Sequence, residues 1–145
     1  PTGTTNHGEL ISPSVDGVTI SRELADFDTW VLIQPVDGLC GDECRKMLYL
    51  SRQVITGLGK DANRVQRVVL ISTDTPDLVE HLNGEHPDVK VVFGLTTVKP
   101  AVANDGPVLL LMDPNNNVMM LYSLEKAGKP MLRDLKHLLK ISNIG

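Results

Sequence analysis

Aromatic residues are scarce in this 145-residue sequence, at 3% of its composition, so a core must be built mostly from Leu, Val, Ile and Met. No apolar run reaches the roughly 20 residues that a membrane-spanning helix needs. Acidic residues outnumber basic ones, and the formal net charge of -4 at pH 7 argues against a nucleic-acid partner. The remaining composition, with 41% apolar and 22% charged residues, is typical of one globular domain.

Cysteine is nearly absent as well. The chain has two, Cys40 and Cys44, separated by three residues in the stretch DGLCGDEC. A disulfide here would close a loop of five residues. So short a loop gains little stability from lost chain entropy, which disfavours a purely structural bridge. A reversible redox pair, two ligands to one soft metal ion, and two small apolar core residues remain as alternatives.

Strands alternate with helices along the chain. The predicted strands are apolar runs bounded by turn-forming residues, at 29–34, 64–73, 88–95 and, as a hairpin around DPNNN, 107–123. The predicted helices have apolar residues every three or four positions, at about 42–59, 75–82 and from 130 onward. This alternation predicts an α/β fold with a central mixed sheet flanked by helices.

The first 28 residues are richer in turn-forming residues than the rest. Two short strands, at GELISP and VTI, and a helical turn capped by Ser21 are predicted there. We therefore divide the chain into an N-terminal extension, residues 1–28, and a second unit, residues 29–145. The sequence begins in a polar stretch without Met, and we expect a membrane anchor to precede it in a longer protein.

The predicted elements place the two cysteines at a chemically favourable position. Cys40 falls in the loop after the first central strand, and Cys44 falls in the first turn of the next helix. The N-terminus of a helix carries a partial positive charge, which favours a thiolate. Residues four apart in a helix have Cα atoms about 6 Å apart, which is within the range of a disulfide. A reversible disulfide and joint ligation of a metal ion are both feasible.

A strand, a cysteine pair at a helix start, and a late Gly-Pro before a hairpin together resemble the thioredoxin fold. The resemblance covers about residues 28–140 and implies a thioredoxin-like domain over residues 29–145. In that fold a cis-proline precedes the hairpin strand and faces the cysteine pair. The segment DGPVLLLMDPNNN matches this pattern, so the resemblance implies a cis bond at Gly106–Pro107 and places Pro107 beside Cys40 and Cys44.

The cysteine spacing is similar to that of the Sco family, copper-handling and membrane-tethered assembly factors for cytochrome c oxidase. Sco proteins bind copper with both cysteines and a distant His, where this sequence has Asn104, Asp105 and Gly106. We therefore expect Cu(II) to bind weakly or not at all, whereas Cys40 and Cys44 could still hold Cu(I). The segments NHGELISP, CGDECRKMLYLSRQV, DPNNNVMMLY and LKHLLKISNIG resemble a bacterial group of membrane-anchored, Sco- and thioredoxin-like proteins associated with cytochrome oxidase.

These resemblances imply a thiol-disulfide redox or assembly factor in cytochrome oxidase biogenesis. It would act on the periplasmic side of a bacterial inner membrane, anchored by an N-terminal helix. Its partner would be a protein with thiols or a disulfide, such as an oxidase subunit or an assembly factor. Cys40 would attack the partner, Cys44 would resolve the mixed disulfide, and Pro107 would shape the binding groove. The alternatives are a Cu(I) chaperone without the usual His, and a non-catalytic interaction domain.

Other potential metal ligands are better explained as surface or core residues. None of the four histidines has a metal-ligand spacing to another His or to the cysteines, and all four are expected at the surface. His81 and His86 are the ones retained as candidate long-range ligands. Met112, Met119 and Met120 cluster in the predicted hairpin, where core packing is favoured over copper binding.

Overall fold

Six strands form one mixed sheet in the computed structural model, which describes residues 5–96 and 106–142. In chain order the strands are β1 (Glu9–Asp16), β2 (Trp30–Val36), β3 (Val65–Ile71), β4 (Lys90–Phe93), β5 (Val108–Met112) and β6 (Asn117–Ser123). Their order across the sheet is β1-β6-β5-β2-β3-β4. The helices of the described residues are α1 (Gly17–Ile20), α2 (Asp42–Gly57), α3 (Pro76–Glu85) and α4 (Lys129–Ile141). The predicted α/β fold, with a central mixed sheet and flanking helices, is confirmed.

The centre of the sheet is a parallel pair of apolar strands. β2 runs parallel to β3 with Ile33 opposite Val68, which confirms the prediction that residues 30–34 and 68–71 are parallel neighbours. β4 continues the parallel part beside β3, whereas β5 pairs with β2 in antiparallel orientation. β5 and β6 form the predicted antiparallel hairpin. The two-residue side-chain period then sends alternate residues of each strand to opposite faces of the sheet.

Both faces of the central strands are covered, so most of their residues are apolar. On one face Leu32 packs in a cluster with Met47 of α2 and with side chains of α4. On the other face Val31 and Ile33 pack in a cluster with Leu24 from the N-terminal segment. A strand buried on both faces has no solvent-facing positions, which explains the continuous apolar runs in the sequence.

The N-terminal segment contributes a strand and two short helices to this architecture. β1 contains the predicted GELISP strand except for its first residue, Gly8, and pairs antiparallel with β6. The predicted VTI strand is wrong, because residues 17–20 form α1, where the carboxylate of Asp16 caps the helix by accepting from the Val18 N–H. The helical turn capped by Ser21 is confirmed as a 3-10 helix, Arg22–Asp26. The division of the chain at residue 28 stays a prediction.

Helix α2 follows β2 and brings the cysteines to the end of the central strand. It begins at Asp42, as predicted, but its N-cap residue is Gly41, which provides no side-chain cap. Past the end of the helix Gly59 has a φ of +60°, a conformation that glycine adopts without a steric penalty. Met47, Leu48 and Val54 are buried and anchor the helix to the sheet.

Candidate redox site

The two cysteines form a disulfide at the junction of β2 and α2. Their Cα atoms are 5.1 Å apart. Cys44 lies in the first turn of α2, and Cys40 lies in the loop that starts after Val36. This loop contains Gly38, whose φ of +81° is rarely adopted by residues with a Cβ atom.

The disulfide is half-buried against an apolar cluster. Both cysteines pack against a group of buried side chains that includes Val36, Leu48 and Ile71. The neighbouring Leu39, in contrast, is 89% exposed. The residues next to the cysteines in the sequence are mostly polar and do not indicate a core. In the folded protein, side chains of β3 and α3 provide the apolar neighbours.

A cleft of about 370 Å³ opens beside the disulfide. Cys44, Pro107 and the buried Thr96 line it together with Leu39 and Gly41. Pro107 therefore lines the same cleft as Cys44.

The peptide bond that precedes Pro107 differs from the expectation. Ser12–Pro13 is the cis bond found in the described residues, so the predicted cis bond at Gly106–Pro107 is wrong. The trans form is the lower-energy default for X-Pro bonds, by about 0.5–1 kcal/mol, so a cis bond requires compensating contacts.

The charged side chains among the described residues that line the cleft are all acidic. Asp37, Asp42 and Glu43 all contribute to its lining. Lys46 lines a second cleft of about 420 Å³, which shares Glu43 and Pro107 with the first. Carboxylates in the first turn oppose the effect of the helix dipole on a thiolate at Cys44, because their charge has the same sign as the thiolate.

The side chain of Gln34 contacts Cys44, a contact that the sequence analysis did not predict. Its side chain is 1% exposed in the middle of β2. The amide Nε2 donates to the backbone carbonyl of Cys44 at 3.0 Å and to the Cys44 Sγ at 3.5 Å. The other amide atom, Oε1, is buried and has no hydrogen-bond partner among the described residues. The signal in the sequence was a lone amide within the apolar strand WVLIQPV.

A second polar cluster that the sequence did not predict lies between β3, α2 and the end of α3. We call it the Arg67 cluster, and it contains Arg67, Ser51, His86 and Asp88. Arg67 is buried and donates to both carboxylate oxygens of Asp88, at 3.0 and 2.8 Å. It also donates to the carbonyl of Leu48 and the hydroxyl of Ser51, both at 3.1 Å. Burial alone would raise the pKa of Asp88, but its hydrogen bonds with Arg67 and the Arg67 charge lower it below the ordinary value.

The burial of His86 contradicts the expectation that all four histidines lie at the surface. His86 is 3% exposed, because α3 ends against the Arg67 cluster and encloses the ring. Its Nδ1 lies 3.2 Å from the Arg67 guanidinium, which can only donate, so Nδ1 accepts and the ring is neutral. Burial first, and then the charge of Arg67, lower the pKa of His86 to about 4.

The described residues contain no group of three or more His, Cys, Asp and Glu side chains arranged to hold a metal ion. The rings of His81 and His86 are 5.7 Å apart, and His86 uses Nδ1 for Arg67 rather than for a metal. Met112 and Met120 are buried in two different core clusters, in accordance with the packing role. Asn104 and Asp105 lie outside the described residues. The donors that fit copper are thus Cys40 and Cys44 once reduced.

The strand-loop-helix unit with its disulfide, the flanking hairpin and the proline beside Cys44 define a thioredoxin-like α/β protein with a cysteine pair. Residues 30–142 match the family model described as the transmembrane-like, thioredoxin-like, C-terminal domain, and the chain belongs to this family. No curated protein is similar enough to the chain in sequence to count as a relative.

Solved structures of low sequence identity share the fold over most of the chain. Bradyrhizobium japonicum ScoI with copper bound has a TM-score of 0.55 at 18% identity, covering 92% of this chain and 99% of its own. BsSco, a member of the Sco family of cytochrome c oxidase assembly proteins, has a TM-score of 0.57 at 12% identity, covering 94% of each chain. A thiol:disulfide interchange protein from Chlorobium tepidum has a TM-score of 0.53 at 14% identity, covering 94% of this chain and 99% of its own. The fold predicted from the resemblance is confirmed.

Across residues 5–96 and 106–142, helices are all too short or too polar to cross a membrane.

Proposed function

We propose that this protein is a thiol-disulfide redox factor that uses Cys40 and Cys44 and serves cytochrome oxidase biogenesis outside the cytoplasm. The observation that supports it most is the Cys40–Cys44 disulfide at the start of α2, beside a cleft that Pro107 also lines. A half-buried disulfide next to an open cleft is accessible to a partner's thiolate. Because it closes a five-residue loop, it contributes less to stability than a bridge across a long loop would.

The proposed chemistry is thiol-disulfide exchange. In the reduced protein the Cys40 thiolate attacks one sulfur of a partner disulfide, and the partner's other sulfur leaves as a thiolate. The Cys44 thiolate then attacks the Cys40 sulfur, which forms the intramolecular disulfide and releases the partner as a dithiol. Two electrons pass from the pair to the partner, and the reverse sequence oxidises a partner dithiol. Pro107 contributes to the wall against which the partner segment lies.

The cellular context is proposed from the family and the structural neighbours. The description of the family is transmembrane-like, and a disulfide switch has been identified in BsSco, a member of the Sco family of cytochrome c oxidase assembly proteins. Disulfides persist in oxidising compartments such as the periplasm. We therefore place residues 29–145 as a thioredoxin-like domain on the periplasmic side of a bacterial inner membrane. Residues 1–28 would be an extension leading from an N-terminal anchor, and the partner would be an oxidase subunit or an assembly factor.

The test is thiol alkylation followed by mass spectrometry over a range of glutathione potentials. We expect the pair to convert between dithiol and disulfide without unfolding, and to be largely oxidised at about -180 mV, the poise of an oxidising compartment. Cys44→Ser should accumulate mixed disulfides through Cys40, and the partner captured in cells identifies the pathway. Cys40→Ser is the matched control and should not accumulate them. If the pair stays reduced and unreactive at this poise, the redox proposal is wrong, and the alternative of a non-catalytic interaction domain is favoured.

Copper binding is the second candidate function. Reduction would free two adjacent thiolates at Cys40 and Cys44, and thiolates suit Cu(I). The copper-bound Bradyrhizobium japonicum ScoI has the same fold, which favours testing this chemistry. The described residues offer these two sulfurs without a third ligand beside them, so the expected site is specific for Cu(I).

A further inference from the structure

The buried side-chain amide of Gln34 lies next to the disulfide. Its nitrogen, Nε2, makes hydrogen bonds, whereas its oxygen, Oε1, makes none among the described residues. Its Nε2 donates to the backbone carbonyl of Cys44 at 3.0 Å. A carbonyl can only accept, so this contact determines which end of the amide faces α2. The Oε1 atom therefore points away from that carbonyl, and it is buried without a hydrogen-bond partner among the described residues.

An unsatisfied buried carbonyl oxygen is unfavourable, because folding removes it from water and returns nothing. Such an atom is rare in a folded protein and requires an explanation. The sulfur of Cys44 accepts a hydrogen bond from the Nε2 of the same amide at 3.5 Å. In the disulfide this sulfur carries no hydrogen, so it has nothing to donate to Oε1.

Reduction of the disulfide gives Cys44 a hydrogen-bond donor, its S–H group. A dithiol such as dithiothreitol, or two glutathione molecules, supplies two electrons and two protons to the Cys40–Cys44 bond. The S–S bond breaks and each sulfur becomes S–H, while the reductant becomes a disulfide. Cys44 then carries a donor beside the amide that lacks one, and a freed side chain can turn about its Cα–Cβ bond towards Oε1. A thiol is a weak donor, but no other donor among the described residues reaches this buried oxygen.

We propose that Gln34 is a positioning residue that stabilises the dithiol state, because Oε1 accepts the Cys44 S–H that exists only after reduction. This inference rests on the proposed redox function of the pair. The bond from Nε2 to the Cys44 carbonyl is made in both states and holds the amide in place. Gln34 thus shifts the equilibrium of the pair towards the dithiol and makes the protein a stronger oxidant of its partners than an apolar residue at this position would.

The measurement is the equilibrium between dithiol and disulfide, obtained by alkylation and mass spectrometry in glutathione buffers. Gln34→Met keeps the length of the side chain and removes both amide atoms. We expect it to shift the equilibrium about tenfold towards the disulfide, which corresponds to a potential about 30 mV more negative. The matched control is Gln53→Met, which alters an exposed glutamine of α2 and should leave the equilibrium unchanged. Equal equilibria in the wild type and Gln34→Met would overturn the inference.

A second measurement avoids replacing Gln34, in case Gln34→Met does not fold. Cys40→Ser leaves Cys44 as the single thiol, and Cys44→Ser leaves Cys40 as the single thiol. We expect the infrared S–H stretching band of Cys44 to lie at lower frequency than that of Cys40, because its hydrogen is bonded to a buried carbonyl oxygen. Identical bands in the two variants would overturn the inference.

The two proposals fail in different ways. If the cysteine pair stays reduced at the poise of an oxidising compartment, the proposed redox function is wrong. The difference between the wild type and Gln34→Met can still be measured in that case with stronger oxidants. Conversely, an unchanged equilibrium in Gln34→Met leaves the redox function intact and removes only the role of Gln34.

Discussion

Single residues in the Arg67 cluster couple the stability of this protein to pH. The folded state holds His86 neutral with a pKa of about 4, below the ordinary value of 6.5. Between these two values the unfolded chain binds a proton that the folded protein does not. The free energy of unfolding therefore falls as the pH drops from about 6.5 to 4, by up to about 3 kcal/mol from this group.

His86→Gln should flatten this part of the pH dependence, because glutamine does not titrate. Urea denaturation at pH values between 4 and 7 measures the effect as a change in the slope of stability against pH. His137→Gln, which replaces an exposed histidine of α4, is the control for losing a histidine as such. Equal slopes in the wild type and His86→Gln would show that the buried ring does not govern acid stability.

Pro107 is a residue whose effect should depend on the size of the substrate. It lines the cleft beside Cys44, where a protein partner would lie but a small thiol needs little contact. Pro107→Ala should slow reduction of a protein disulfide, with insulin as the probe, about five- to tenfold, a loss of about 1–1.4 kcal/mol of transition-state binding. Exchange with glutathione should change much less.

Pro114→Ala is the matched control for Pro107, since Pro114 lies in the hairpin turn between β5 and β6. It should leave both rates unchanged. If Pro107→Ala slowed exchange with glutathione as much as it slowed reduction of insulin, the proline would be acting on the cysteines themselves rather than on the partner.

At the scale of elements, α2 is held by packing rather than by the disulfide at its start. Met47, Leu48 and Val54 are buried against the sheet, and both cysteines are only half-buried. Reducing the bridge, or replacing both cysteines by alanine, should lower the free energy of unfolding by at most about 2 kcal/mol. The far-ultraviolet circular dichroism should stay the same. A larger loss would identify the bridge as a structural staple and weaken the redox proposal.

A buried carboxylate of α4 also joins this helix to the N-terminal segment. The buried carboxylate of Asp134 accepts from the backbone N–H groups of His7 and Gly8, each at 2.9 Å, and from the Tyr122 hydroxyl at 2.8 Å. Burial, followed by the hydrogen bond and the negative charge of Asp134, raises the pKa of Tyr122. The phenol is therefore a permanent donor, and one carboxylate ties β6, α4 and the start of β1 together.

Asp134→Asn should weaken this junction, because its amide nitrogen would meet donors that need an acceptor. We expect a loss of about 1–3 kcal/mol and faster hydrogen exchange in β1 than in β2 or β3. The exposed Asp74→Asn is the control and should change neither quantity. Unchanged exchange in β1 would mean that its pairing with β6 suffices to hold the N-terminal segment.

For the whole molecule, the arrangement of potential ligands predicts selectivity between the two oxidation states of copper. Reduced protein should bind one Cu(I) through Cys40 and Cys44, and Cys40→Ser or Cys44→Ser should each abolish tight binding. Cu(II) should be lost on dialysis, because the described residues place no third ligand with the sulfurs. Cu(II) retained through dialysis would contradict this prediction, and its loss in His81→Gln would then identify the missing ligand.

Much of the fold could be predicted from local patterns. The apolar runs at β2 and β3, the hairpin around DPNNN and the start of α2 at Asp42 were all evident in the sequence. In the hairpin turn the Asp113 carboxylate accepts from the backbone N–H groups of Asn115 and Asn117, and Asn116 has a φ of 68°. Such signals are local because turns, caps and amphipathic periods involve residues only a few positions apart.

Two failures of prediction share a different cause. VTI was predicted as a strand from its β-branched residues, but the cap at Asp16 makes it the short helix α1. His86 was predicted at the surface, yet a buried cation from β3 and the end of α3 enclose it. In both places a specific polar contact outweighed the average preference of the residue type.

The sequence by itself determined the α/β class, the position of the cysteine pair at a strand-helix junction, and the resemblance to thioredoxin-fold proteins. The class and the position of the cysteines follow from periodicity and spacing, which act along the chain, and the resemblance rests on the segments quoted above. Only the tertiary structure decided that the Gln34 amide contacts Cys44 and that Arg67 holds His86 neutral. Those contacts join residues far apart in the chain, and the sequence does not display them because they exist only once the helices are packed on the sheet.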